Sequence, residues 1–93
     1  LELVNDDDML HNIVITQPGK GQIVGAAALT LGLDGEARSY VPDSPEVIAH
    51  TRILGPDERE TIYFTAPSEP GDYDYVCTFP GHYLIMKGIL KVR

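Results

Sequence analysis

Residues 77–88, Cys77-Thr78-Phe79-Pro80-Gly81-His82-Tyr83-Leu84-Ile85-Met86-Lys87-Gly88, place a thiol, an imidazole and a thioether within ten positions, in a 93-residue chain with one cysteine and two methionines. A fourth donor of the same kind, His11, lies near the other end in Met9-Leu10-His11-Asn12-Ile13-Val14-Ile15. If these side chains share one task, an early strand must be clamped beside a late hairpin. That demand restricts the architecture more than any local propensity does.

The remaining residues supply the means. Leu1 to Asn5 reads as a strand, broken by Asp6-Asp7-Asp8, and His11 to Thr16 is β-branched and apolar, a buried or half-buried strand. Pro18-Gly19-Lys20-Gly21 is a turn. Ile23 to Leu31, around Ala26, Ala27 and Ala28, is the only stretch of helical composition, ended by Gly32 and Asp34-Gly35. Val41 to Pro45 is loop, because neither proline fits inside a ladder. Glu46 to Leu54, Thr61 to Thr65, Asp72 to Cys77 and Gly88 to Val92 read as further strands. In the third of these, Tyr73, Tyr75 and Cys77 share one face and the aspartates the other. Short strands with frequent turns predict an all-β sandwich with one helical excursion.

Size and charge narrow the function. The chain suits one modest core, so residues 1–93 are expected to form a single domain. A net charge of −7 argues against nucleic acid and anionic membrane as partners and favours a basic protein surface. No apolar run approaches membrane-spanning length, so membrane insertion is not expected. One cysteine rules out an internal disulfide, a binuclear copper centre with two bridging thiolates, and any zinc site built on paired cysteines. The opening Leu1-Glu2-Leu3-Val4 lacks a basic start and an initiator methionine, which suggests a processed or excised piece.

The four donors have a chemical logic. Copper prefers different geometries in its two oxidation states, and a near-trigonal thiolate and two imidazoles with a long thioether contact suits both. Cys77 is the strong ligand, His11 and His82 complete the plane, and Met86 is the weak axial donor. Pro80-Gly81 turns the chain so that His82 comes back towards the ion bound by Cys77. Asn12 is placed to hydrogen-bond across to the Cys77-Thr78 segment, and the Phe79 N–H can reach the Cys77 sulfur, whereas Pro80 has no N–H to offer. Taken singly, each residue has a plainer role: a buried small hydrophobe for Cys77, a satisfied core residue for His11, core filler for Met86. The joint Cys-x4-His-x3-Met pattern beside a distant His-Asn favours copper. His50 reads as a solvent-facing strand residue, Asp6 to Asp8 as a solvated turn, and Tyr73 and Tyr75 as packing.

The loop Cys77-Thr78-Phe79-Pro80-Gly81-His82 with Leu84, Met86, Lys87 and Gly88 resembles the ligand loop of the cupredoxins, the type 1 blue-copper family, and the azurin branch above all. Val47-Ile48-Ala49-His50-Thr51-Arg52 through Gly55 is similar to a strand of that branch, and Ile23 to Gly35 to its helical flap. The resemblance covers residues 9–93 and implies a Greek-key sandwich with one mononuclear copper at one end. Leu1 then enters at the family's third strand, so the first two are expected to be absent or to lie upstream, and open edges are expected to be covered or to pair between two copies as a dimer. Leu10 stands where that branch has a glycine whose carbonyl lies near the metal, which fits the four-ligand site of the plastocyanins and auracyanins. An extracytoplasmic, periplasmic location is implied as well.

The expected activity is outer-sphere transfer of one electron, not catalysis. The resemblance implies a His82 ring edge that protrudes through an apolar patch, here Leu10, Pro80, Gly81, Tyr83 and Leu84, where a basic redox protein such as a c-type cytochrome docks. Two other readings are an electron-relay module within a larger multidomain redox protein and a copper storage or delivery protein. The second of these calls for exposed Met/His clusters, which the sequence does not contain.

Overall fold

The computed structural model describes residues 1–6, 8–80, 82–84 and 86–92, with residues 33, 34 and 36 described by backbone alone. Its strands are β1 (Glu2–Val4), β2 (Val14–Thr16), β3 (Val47–His50), β4 (Arg59–Thr61), β5 (Gly71–Val76) and β6 (Lys87–Val92). β1 and β4 form one antiparallel pair, and the second sheet runs β3-β2-β5-β6. This is the expected all-β, Greek-key sandwich, with a helical flap between β2 and β3. Among the described residues no helix is long and apolar enough to cross a membrane.

β2 is the pivot. Val14 pairs with His50 on one side and with Val76 on the other, and Ile15 with Ala49 and Tyr75, so this short strand is hydrogen-bonded along both edges. All of its residues are buried, as β-branched side chains flanked by two strands should be. The ladder between β5 and β6 runs unbroken from Gly71↔Val92 to Val76↔Lys87 and delivers the end of β5 to the start of β6.

The first four strands are shorter than the sequence suggests. His11 makes only an isolated bridge to Leu54, and the ladder begins at Val14, with a register shift against β3 between Ile15 and Thr16, because the intervening residues turn side chains towards other partners. Glu46 to Leu54 likewise shrinks to Val47–His50 plus that bridge. The strand expected over Thr61 to Thr65 instead ends at Thr61. Its partner β1 offers one last acceptor, the Leu1 carbonyl, to the Ile62 N–H at 2.8 Å. Among the described residues β1 pairs with no strand besides β4, and β6 with none besides β5. Between the sheets an apolar cleft remains, lined by Leu1, Ile13, Ile15, Phe64, Tyr75 and Leu90. Tyr75 is consequently 37% exposed although its neighbours Tyr73 and Val76 are buried.

The flap begins with α1 (Gly21–Ala28), two residues earlier than its composition suggests, and tightens after Ala28 into 3-10 turns over Leu29–Asp34 and Glu36–Arg38. Gly32, at φ +57°, kinks the first of these. Gly21, Val24, Gly25 and Ala28 form the buried stripe of α1, and Val24 joins Val14, Val41 and Val76 in the core. The helix has no side-chain cap of its own and no acidic residue in its first turn. Asp74 of β5 supplies both functions, its Oδ2 accepting the Gly21 N–H at 2.9 Å. Asp74→Ala is expected to lower stability by about 1 kcal/mol, measured as an earlier urea midpoint with unchanged slope. An unmoved midpoint would mean that packing alone holds the helix.

Candidate metal centre

His11 is fixed by its backbone. Its N–H donates to the Leu54 carbonyl at 3.0 Å and its carbonyl accepts the Leu54 N–H at 2.8 Å. The loop before it is held by Asn5, which is buried and whose Nδ2 donates to the carbonyls of Met9 and Leu54 at 2.7 and 2.9 Å. Cys77 follows β5 directly. Its N–H donates to the Met86 carbonyl at 2.9 Å, continuing the β5–β6 ladder by one step and pairing Cys77 with Met86 across the hairpin. Between them the His82 N–H donates to the Phe79 carbonyl at 2.9 Å and the Met86 N–H to the His82 carbonyl at 2.7 Å. These bonds fold the loop back so that His82, in the 3-10 turn His82–Leu84, faces the cysteine.

Asn12 joins the two segments. Its Oδ1 accepts the Thr78 N–H at 2.8 Å, and its Nδ2 donates to Thr78 Oγ1 and to the Ser39 carbonyl, each at 2.8 Å. Asn12 and Thr78 are almost fully buried. Ser39 and Tyr40 carry positive φ values of 54° and 58°, a conformation unusual for non-glycine residues, and it presents the Ser39 carbonyl to Asn12. Tyr40 packs edge-on against Phe79, and Phe79 lies beside His82 with ring centroids 4.9 Å apart.

The donor atoms converge. His11 Nδ1 and His82 Nδ1 lie 3.8 and 3.6 Å from Cys77 Sγ, and one donor atom from each residue lies within 4.8 Å of the others. An ion in a trigonal plane, about 2.3 Å from sulfur and about 2.0 Å from nitrogen, separates such donors by about 3.7 Å. The observed distances bracket that value, so these residues are positioned to hold a single metal ion. Burial pushes the Cys77 thiol above its ordinary pKa, opposed by the backbone N–H groups of Asn12 and Phe79, which hydrogen-bond to the sulfur. A metal cation in place of the thiol proton resolves that conflict, since it neutralises a thiolate that burial alone disfavours.

Met86 lines the same cavity as His11, Asn12 and Cys77 and is 37% exposed. Around His82, Leu84 is 58% exposed, Pro80 is exposed and Leu10 half-buried, while Gly81 lies outside the described residues. Tyr83 is turned inward, half-buried against the valine core under α1. His50 is exposed on β3, away from the cluster. Asp6 and Asp8 are exposed, and Asp7 lies outside the described residues. Sequence reasoning missed Asn5, the Asn12 N–H, the Ser39 carbonyl and the seat of Tyr83. Only Asn5 left a signal, as an asparagine opening an acidic turn. The others are backbone groups or contacts that tertiary structure alone creates.

A family model described as copper binding proteins, plastocyanin/azurin family, matches residues 1–93. Azurin-1 of Alcaligenes xylosoxydans xylosoxydans is 38% identical over 87 residues, which is 90% of this chain and 65% of that protein. The chain therefore spans just under two thirds of the length of this curated relative. Among solved structures, dithionite-reduced auracyanin from Roseiflexus castenholzii superposes with a TM-score of 0.86 at 37% identity, covering 99% of this chain and 74% of that one. Auracyanin A of Chloroflexus aurantiacus, described as a "blue" copper protein, also gives 0.86, at 31% identity and with 99% and 75% covered.

Asn12→Leu keeps the branched outline of the side chain, at a larger volume, but strips the buried Thr78 N–H and hydroxyl of their partner. The metal-free protein is expected to lose about 2–4 kcal/mol of unfolding free energy. A loss within the error of chemical denaturation would mean that Asn12 does not hold the two segments together.

Proposed function

We propose, from the premise that this chain belongs to the plastocyanin/azurin family of copper-binding proteins, that it carries single electrons through a type 1 copper centre held by Cys77, His11, His82 and Met86. The observation that supports this most is the meeting of one buried thiol and two imidazole nitrogens within 4.8 Å, drawn from opposite ends of the chain. Bound copper supplies a one-electron couple that the side chains alone lack. Cys77 would give the covalent donor, His11 and His82 would complete the hold on the ion, and the Met86 thioether, which lines the same cavity, would be the fourth and weaker donor. Asn12, Thr78 and Phe79 position these donors and limit their motion when the charge at the site changes.

Four protein donors leave no open position for a substrate, so the activity is transfer and not catalysis. His82 turns Nδ1 towards the Cys77 sulfur, and the opposite edge of its half-buried ring would be the port for the electron. Pro80, Leu84 and Leu10 frame that port with apolar surface suited to brief docking. The net charge of −7 favours a basic partner such as a c-type cytochrome, in an extracytoplasmic compartment. A ferrous cytochrome that gives up one electron becomes ferric as the site is reduced, and no bond forms or breaks.

Copper loading is expected to produce intense visible thiolate-to-copper absorption that Cys77→Ser abolishes. Met86→Leu is expected to keep the colour and raise the reduction potential, because a thioether donor would favour the oxidised state; an unchanged potential would remove Met86 from the donor set. Association with a basic cytochrome is expected to slow as salt is added, and rates indifferent to salt would count against electrostatic steering.

A further inference from the structure

Helix α1 spans only eight residues, and two of them are glycines, Gly21 and Gly25. Glycine is a poor helix former, and so short a helix does not persist without packing. What the glycines permit is close approach. A Cβ built on Gly21 would come within 3.0 Å of Asp74 and Val76. A Cβ built on Gly25 would run into Cβ and Cγ of Tyr83, far inside contact distance. Gln22 Nε2 donates to the Tyr83 carbonyl at 3.1 Å, and Asp74 anchors the first turn of the helix. Tyr83 directly follows His82 in the same 3-10 turn.

We propose that α1 is a strut for the metal centre: the bare surface of Gly25 seats Tyr83 and thereby sets where His82 stands, which makes Gly25 and Tyr83 positioning residues. The inference rests on the reading of His82 as a copper ligand. The contact at Gly25 involves the root of the tyrosine side chain, so rotating a distant ring end cannot relieve a clash there. Either the backbone of the turn moves, and His82 with it, or the helix moves against its Asp74 anchor.

Three variants test this: Gly25→Ala, Tyr83→Gly and the pair combined, each compared with the native chain for the rate of copper release and the visible and paramagnetic-resonance spectra. Amide exchange of residues 82 and 83 is followed in the metal-free forms. Each single variant is expected to release copper about ten- to hundredfold faster with an altered charge-transfer spectrum and faster exchange in the turn. In the Tyr83→Gly background, Gly25→Ala is expected to add nothing, because the group it meets is gone. Native release rates and spectra in both single variants, or the same multiplying effect of Gly25→Ala in both backgrounds, would overturn the strut. Should Gly25→Ala fail to fold, Tyr83→Gly alone decides, with native copper release counting against the proposal. A native chain that takes up copper without thiolate colour instead strikes at the copper assignment itself.

Discussion

The site depends on one buried asparagine. Asn12 belongs to the early segment that carries His11, and its amide is spent on Thr78 beside Cys77 and on the Ser39 carbonyl. Its own backbone N–H reaches the cysteine sulfur. One residue thus links the early segment, the flap and the late hairpin at a largely buried place, where leaving any of these hydrogen bonds unmade is costly. The donors are held by this network and by the backbone pairs His11–Leu54 and Cys77–Met86, so they are clustered by the polypeptide itself.

This arrangement suits electron transfer for a physical reason. A carrier is fast when little has to move as the charge changes. Backbone hydrogen bonds, a buried amide and close helix packing hold the donors more firmly than flexible side chains would. Burial disfavours a free thiolate at Cys77, and the two N–H groups on its sulfur only partly offset that. An ion bound at the sulfur would neutralise that thiolate, so metal binding and local order are expected to reinforce each other.

The thiol and two imidazoles that meet were legible in the sequence because their types are scarce: one cysteine and three histidines leave few ways to assemble such a cluster. The three donors brought within 4.8 Å are among those the spacing singled out, and Met86 lines the same cavity. The sandwich and its helical flap were also readable from short alternating runs and punctuating turns. Boundaries were not. His11 to Ile13 has strand composition, yet the need to aim His11 and Asn12 breaks the ladder there. Alternation around Ile62 and Phe64 suggested a strand that pairing partners do not support. Gly25 gave no sign of its role, because only the folded chain places Tyr83 over it.

The most direct test is a set of crystal structures of the metal-free protein and of its copper form in both oxidation states. The account predicts that Cys77 Sγ and the Nδ1 atoms of His11 and His82 keep their mutual separations in all of them, around one copper ion. A His82 ring that swings out of the cluster when copper is removed, or a copper ion bound away from Cys77, would contradict it.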